Sequence, residues 1–278
     1  MTTVTGPPVL APEEMAAYLE RLGVDEQDAT APPDQLLERL HVSHLLHVPF
    51  ENIDLHLREP IQLDVAALFA KLVDRRRGGY CYELNGLFAS LLVSLGFDVT
   101  MVSSQVWMPD GELTPPFDHH ALLVEVAGET WLADVGFGDA FLTPRPLGSQ
   151  WTEASRRLRT VETGAGWQLE RDEGDGWTPM YLLDLRPRAL AEFLPRSRWH
   201  ETSPDSPFQR RVFASRATAR GRVTVADTSL IVTEDGERVE QALPEGEGGH
   251  AVLLAHFSPS VVGAFQAVRP APAAGTAT

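Results

Sequence analysis

Apolar residues recur at helical spacing over the first third of the chain and at strand spacing afterwards. Pro12-Glu13-Glu14 opens a segment with Met15, Tyr18, Leu19 and Leu22 on one face and Gly23 as its stop, which predicts a helix over Glu13–Leu22. Asp34 is placed to cap a second, whose Leu36, Leu37, Leu40 and Leu45 recur at three and four until Pro49 ends it. Asp64 caps a third, carrying Val65, Leu68, Phe69 and Leu72. A fourth, Tyr82–Leu95, is apolar nearly all round and closes at Gly96, the pattern of a helix buried in a core.

From Asp98 the period shortens. Val99–Val106, Ala121–Val126 and Thr130–Val135 read as strands, the last two joined by the turn residues Ala127-Gly128-Glu129. Trp167–Glu170, Trp177–Leu185, Gly221–Val225 and Ser229–Thr233 continue the series. Arg188–Phe193 and Ala251–Phe257 read as short late helices, and Pro270–Thr278 as a disordered Pro/Ala-rich tail. No solenoid repeat is present. Helices gathered before strands predict an α+β fold.

The composition narrows the function. With 43% hydrophobic and 22% charged residues the chain is globular rather than fibrous or wholly disordered. A net charge of −16 argues against a general grip on nucleic acid or anionic lipid. The longest nearly apolar run, Leu84–Phe97, is too short for a membrane span. Met1–Glu14 has neither a basic nor an apolar stretch of a secretory signal, so a cytoplasmic location is expected. A lone cysteine, Cys81, excludes an internal disulfide and an all-cysteine metal site, and the histidines do not fall at zinc spacing, so no metal is expected. His41, His44 and His47 recur every three residues and read as polar points on a helix flank.

The chemistry concentrates in two places. In Arg75-Arg76-Arg77-Gly78-Gly79-Tyr80-Cys81, glycines permit close backbone approach, and a thiol at a helix start beside guanidinium groups favours thiolate. The alternative is a buried, inert thiol, a common fate of cysteine. A nucleophilic thiolate needs a base, and the base an orienting acceptor. Asp118-His119-His120 sits at a strand start, and Asp134 ends the neighbouring strand ahead of Gly136-Phe137-Gly138. One hairpin would bring histidine and Asp134 together, with Cys81 at the same edge, as a Cys-His-Asp triad. Neighbouring strand residues face opposite ways, so only one of His119 and His120 can reach the thiol.

Arg77-Gly78-Gly79-Tyr80-Cys81-Tyr82-Glu83-Leu84-Asn85, with Val48-Pro49-Phe50-Glu51-Asn52-Ile53 upstream and Asp134-Val135-Gly136-Phe137-Gly138 downstream, resembles the arylamine N-acetyltransferases. The likeness extends through Ser203-Pro204-Asp205-Ser206-Pro207-Phe208. It implies an N-terminal helical bundle over 1–97 carrying the nucleophile, a central β-barrel over 98–200 carrying histidine and aspartate, and a C-terminal α/β lid over 201–278, with a papain-like triad at their junction. By matching positions Cys81 is the nucleophile, His119 the base, Asp134 the orienting carboxylate and Phe137 a wall of the acceptor pocket, while Glu51 and Arg77 pair in a supporting role. The implied reaction carries an acetyl or other acyl group from acetyl-CoA, a substrate rather than a tightly bound cofactor, to an arylamine or arylhydrazine. Some relatives instead act as amide synthases on carrier-protein thioesters, which makes a carrier protein the alternative partner. A non-catalytic binding module is the remaining class.

Overall fold

The computed structural model describes residues 6–268 except 26, 27, 29 and 155, so the expected disordered tail at Pro270–Thr278 lies outside the described residues. The first helix, α1 (Pro12–Leu22), starts on a proline that has no amide to satisfy, and Glu14 accepts the Ala11 N–H at 2.8 Å. It stops at Gly23 in the left-handed region, φ 68°. In α2 (Pro33–His47) the expected Asp34 cap is not formed: Pro32 holds the cap position and Pro33 opens the helix, leaving Asp34 in the first turn. The short helices α3 (Ile53–Leu57) and α4 (Val65–Phe69) follow, and Asp64 does cap α4, accepting from Ala67 N at 3.0 Å. α4 runs on into a wider π turn, Ala70–Asp74. Every residue from Cys81 to Leu92 of α5 (Cys81–Ser94) is buried, as its all-round apolar pattern requires.

α5 packs on an eight-stranded antiparallel sheet. Its strands are β2 (Asp98–Val106), β3 (His119–Val126), β4 (Glu129–Ala133), β5 (Arg145–Pro146), β6 (Gln150–Glu153), β7 (Arg156–Thr163), β8 (Gly166–Asp172) and β9 (Thr178–Asp184), in the order β5-β4-β3-β2-β9-β8-β7-β6. The order has two ends, so the expected closed barrel is an open sheet. β5 explains one edge: it is two residues long and its Pro146 has no N–H to offer another strand.

The chain then forms α6 (Leu194–Thr202) and a second antiparallel sheet of β10 (Phe213–Thr218), β11 (Gly221–Ala226), β12 (Ser229–Glu234) and β13 (Glu237–Ala242). β1 (Phe50–Glu51), from the helical segment, pairs with β10 through Phe50↔Ser215 and Glu51↔Ala214. In place of a single late helix at Ala251–Phe257, α7 (Gly246–Leu254) and α8 (Pro259–Val268) cover this sheet, the second opened by Pro259. One core joins α1, α2 and α5 to β2–β4, and a second lies between β10–β12 and α7–α8. The first core and the β1–β10 pairing fix the end of α5 where Cys81 sits.

Candidate active site

Cys81 is the first residue of α5 and only 4% exposed. The loop before it is held from below by buried charges. Arg77 donates from Nε and Nη2 to the two carboxylate oxygens of Glu51, each at 2.8 Å, and from Nη2 to Asp54 at 2.6 Å. Lys71 Nζ lies 2.6 Å from Asp54 and 2.7 Å from Glu83. Burial alone would pull the Lys71 ammonium down, but Glu83, Asp54 and Glu51 hold it above its ordinary value. The other Glu83 oxygen accepts from Tyr80 N at 3.1 Å, capping α5 one residue before the thiol. The glycines are needed for approach: a Cβ on Gly78 would stand 2.0 Å from Pro49 O, and one on Gly79 2.7 Å from Glu83 Oε2.

This arrangement corrects the expected source of thiol acidity. Arg77 spends its charge on Glu51 and Asp54, so its guanidinium lends little to Cys81. Burial pushes the thiol well up, Asp118 and Asp134 add to that, and the main-chain N–H groups of His120 and Tyr82 at the sulfur work against it. A thiolate here therefore depends on a cationic partner.

His119 begins β3 and is buried, its Nε2 2.7 Å from Asp134 Oδ2. That contact leaves Nδ1 as the other ring nitrogen, and His119 and Cys81 both line one cavity of about 710 Å³. The imidazole is wedged between Phe137 and Tyr181, with ring centroids 5.1 and 5.2 Å away. Burial by itself would raise the Asp134 carboxyl, yet His119, Asn85 and the Gly136 N–H together hold it below its usual range. His120 points to the other face of β3, 4.6 Å from the Phe193 ring, and burial with His119 beside it drives its pKa to about 3.

Two residues without an assigned role in the sequence complete the frame. Asn85, one turn into α5, donates to His120 O at 2.6 Å and Asp134 Oδ1 at 2.9 Å and accepts from Val135 N at 2.9 Å, tying the helix that carries Cys81 to β3 and to the Asp134 loop. His41 accepts the Asp134 N–H on Nε2 at 3.0 Å and donates from Nδ1 to Leu142 O at 2.8 Å; burial lowers its pKa, in keeping with a neutral ring. The helix-flank reading therefore fails for His41 and His44, both fully buried, the second 2.9 Å from Tyr18 Oη. A Cβ on Gly136 would stand 2.8 Å from Cys81 Cα, so only glycine lets the Asp134 loop lie against α5.

A profile of the N-acetyltransferase family matches residues 35–263. The arylamine N-acetyltransferase / N-hydroxyarylamine O-acetyltransferase of Salmonella typhimurium is 36% identical over 247 residues, covering 87% of each chain. The chain belongs to the arylamine N-acetyltransferase family. A solved Salmonella typhimurium arylamine N-acetyltransferase superposes with a TM-score of 0.84 at 29% identity, covering 93% of this chain and 98% of that one. The Mycobacterium marinum arylamine N-acetyltransferase in complex with CoA gives 0.80 at 28% identity, covering 91% and 97%. No helix among the described residues is long and apolar enough to cross a membrane, and no cluster of three or more His, Cys, Asp or Glu among them could hold a metal ion.

Within this N-acetyltransferase the cavity carries a second polar group that sequence reasoning missed. Asp118, next to His119 in the chain, receives Arg196 through Nε and Nη2 and lies 3.2 Å from His200 Nε2. Arg196 in turn lies over the Trp199 ring, 3.7 Å from its centroid. All four line the cavity that holds Cys81. Asp118 opposes ionisation of the thiol, so Asp118→Asn removes a negative charge and leaves Arg196 uncompensated, and both changes favour thiolate. The expected result is a midpoint of Cys81 alkylation against pH displaced to lower pH. A midpoint that stays or rises contradicts the placement of Asp118 against the thiol.

Proposed function

We propose that this chain carries an acetyl group from acetyl-CoA, through an acyl-Cys81 intermediate, to the nitrogen of an arylamine or arylhydrazine. The observation that supports it most is the placement of the sole thiol at a helix start in one cavity with a histidine already bound to a buried carboxylate. His119 takes the Cys81 proton, and the thiolate adds to the thioester carbonyl. Collapse breaks the bond to the coenzyme's sulfur, which leaves with the proton from His119. The amine then adds to acyl-Cys81, gives its proton to His119, and the thiolate is released. Asp134 holds the imidazole's other nitrogen and offsets its charge while the proton resides there. The Glu51–Arg77 pair fixes the loop; removing either partner leaves a buried charge, a loss of about 3–5 kcal/mol. On the same reading the chain divides into 1–97, 98–200 and 201–278, with β1 lent by the first part to the sheet of the third. That the Mycobacterium marinum relative is described in complex with CoA favours a CoA donor over a carrier-bound one.

Intact-mass measurement tests the intermediate. Incubation with acetyl-CoA and no acceptor should add one acetyl group, mapped to Cys81, and varying donor and amine together should give parallel double-reciprocal lines. Intersecting lines with no acetylated protein would replace the covalent route by direct transfer.

Phe137 lines the cavity and packs against both His119 and Tyr181, its ring 4.9 Å from that of Tyr181. In this reading it stacks on the flat acceptor. Phe137→Ser should reorder a panel of arylamines while acetylation of Cys81 by the donor changes little. An equal loss in both half-reactions would assign Phe137 to the frame instead.

A further inference from the structure

A smaller cavity of about 340 Å³ lies on the far side of the nucleophile loop, where the ends of α1 and α2, β10 and the α7–α8 connection meet. Arg21, Arg76, Arg216, His47 and His256 line it, and no carboxylate does, in a chain whose net charge is −16. Most arginines of this acidic protein sit in ion pairs. These three have none with any described residue.

Arg21 is 5% exposed, and of its guanidinium only Nε has a partner among the described residues, Leu72 O at 3.2 Å. Arg216 donates from Nε to His256 O at 3.2 Å and from Nη1 to Leu46 O, both neutral acceptors. The Arg76 guanidinium has no partner there, while its main-chain oxygen accepts from Ser258 Oγ at 2.7 Å, which holds the residue at the cavity. Burial, then Arg76 and Arg216, bring the Arg21 pKa down to about 10, and burial with Arg216 lowers His256. Ser258 and Pro259 also line the space, so the amino end of the ten-residue α8 adds its partial positive charge. A buried guanidinium without a counter-charge is costly, and a folded protein that keeps one with free donors facing a cavity is built for an anion.

We propose that this cavity binds a phosphoryl oxyanion, either inorganic phosphate or the phosphate of a small phosphomonoester, through Arg21, Arg76 and Arg216. Three convergent guanidinium groups match a doubly charged tetrahedral anion better than a single carboxylate, which would leave much of the positive charge unmet. The volume admits phosphate with a short substituent and no extended polymer. A bound anion joins α1, β10 and the segment that leads from Arg76 to Cys81, three parts of the chain far apart in sequence. The site does not depend on the acyl-transfer reading, and its test needs no turnover.

Phosphorus NMR and thermal melting of the full chain, with inorganic phosphate set against chloride at matched ionic strength, give the readout. One saturable phosphate per chain is expected, with a melting temperature that rises with occupancy. Arg21→Gln removes a buried contact and risks the fold; Arg76→Gln touches only an exposed side chain and should weaken phosphate about tenfold. Adenosine 5′-monophosphate distinguishes the sources. Competition lost in Arg76→Gln supports the site with a phosphomonoester as occupant, and its absence beside tight phosphate supports the site with free phosphate. The proposal fails if chloride gives the same shift, if Arg76→Gln binds phosphate as the parent does, or if alkylating Cys81 abolishes the binding and so moves the anion to the catalytic cavity.

Discussion

Cys81→Ser should lose transferase activity by about four orders of magnitude or more while folding like the parent. Sulfur and hydroxyl oxygen differ little in size at a 4% exposed position, so the packing around α5 survives. What is lost is ionisation. Burial, Asp118 and Asp134 already push the thiol up, so on the proposed route a thiolate forms only as His119 takes its proton. A serine hydroxyl is weaker still as an acid by several units, each about 1.4 kcal/mol, and no partner in this cavity supplies that much. The backbone N–H groups of His120 and Tyr82 that face the sulfur would still polarise a carbonyl, so binding and a small residual rate can persist. Comparing kcat/KM for donor and acceptor with near-UV circular dichroism of both proteins checks this. A Cys81→Ser protein with a parental fold and activity within tenfold of the parent would end the nucleophile assignment, and with it the proposed route.

Helices α1, α2, α4 and α5 and the first hairpin were legible because one face or one period decides them, whereas α3, α6 and α8 were not anticipated. α5 is apolar all round and is buried, and β2, β3 and β4 fell within two residues of their expected bounds. The missed strands carry no such pattern: every residue of β13 is exposed, and β7 is arginine-rich with only Leu158 and Thr160 turned inward. The site was legible in its motifs and opaque in its electrostatics. A run of arginines beside Cys81 reads as a source of positive potential; the resemblance implied the Glu51–Arg77 pair, and only the fold adds Asp54 as a second carboxylate on Arg77. His41 gave the wrong signal because a three-residue spacing of histidines says nothing about which side of α2 is covered. Asp118 and Arg196 lie 78 residues apart, and Arg21, Arg76 and Arg216 come from three separate segments, so no local reading could assemble either group.

The two adjacent histidines separate cleanly because β3 turns them to opposite faces. His119→Ala should slow alkylation of Cys81 at neutral pH by about a hundredfold or more: with the imidazole gone, only the main-chain N–H groups of His120 and Tyr82 oppose the burial and the two carboxylates that disfavour thiolate, and the thiol is expected to titrate at or above its free value of about 8.5. His120→Ala should leave that profile within a few-fold of the parent. The His120 ring contacts Phe193 rather than the cavity, neither ring nitrogen has a partner among the described residues, and the main-chain N–H at the sulfur does not depend on its side chain. Its cost appears in stability instead, on the order of 1–3 kcal/mol for the void left against Phe193. Asp134→Asn should fall between the two, since an amide can still meet His119 Nε2 but offers no negative charge to an imidazolium and disturbs the contacts to Asn85 and Gly136 N. Alkylation rate against pH for the three variants, alongside their melting temperatures, reads this out with no knowledge of the acceptor. If His120→Ala loses the reactive thiolate and His119→Ala keeps it, the base lies one residue along β3 and the contact between His119 and Asp134 is structural only.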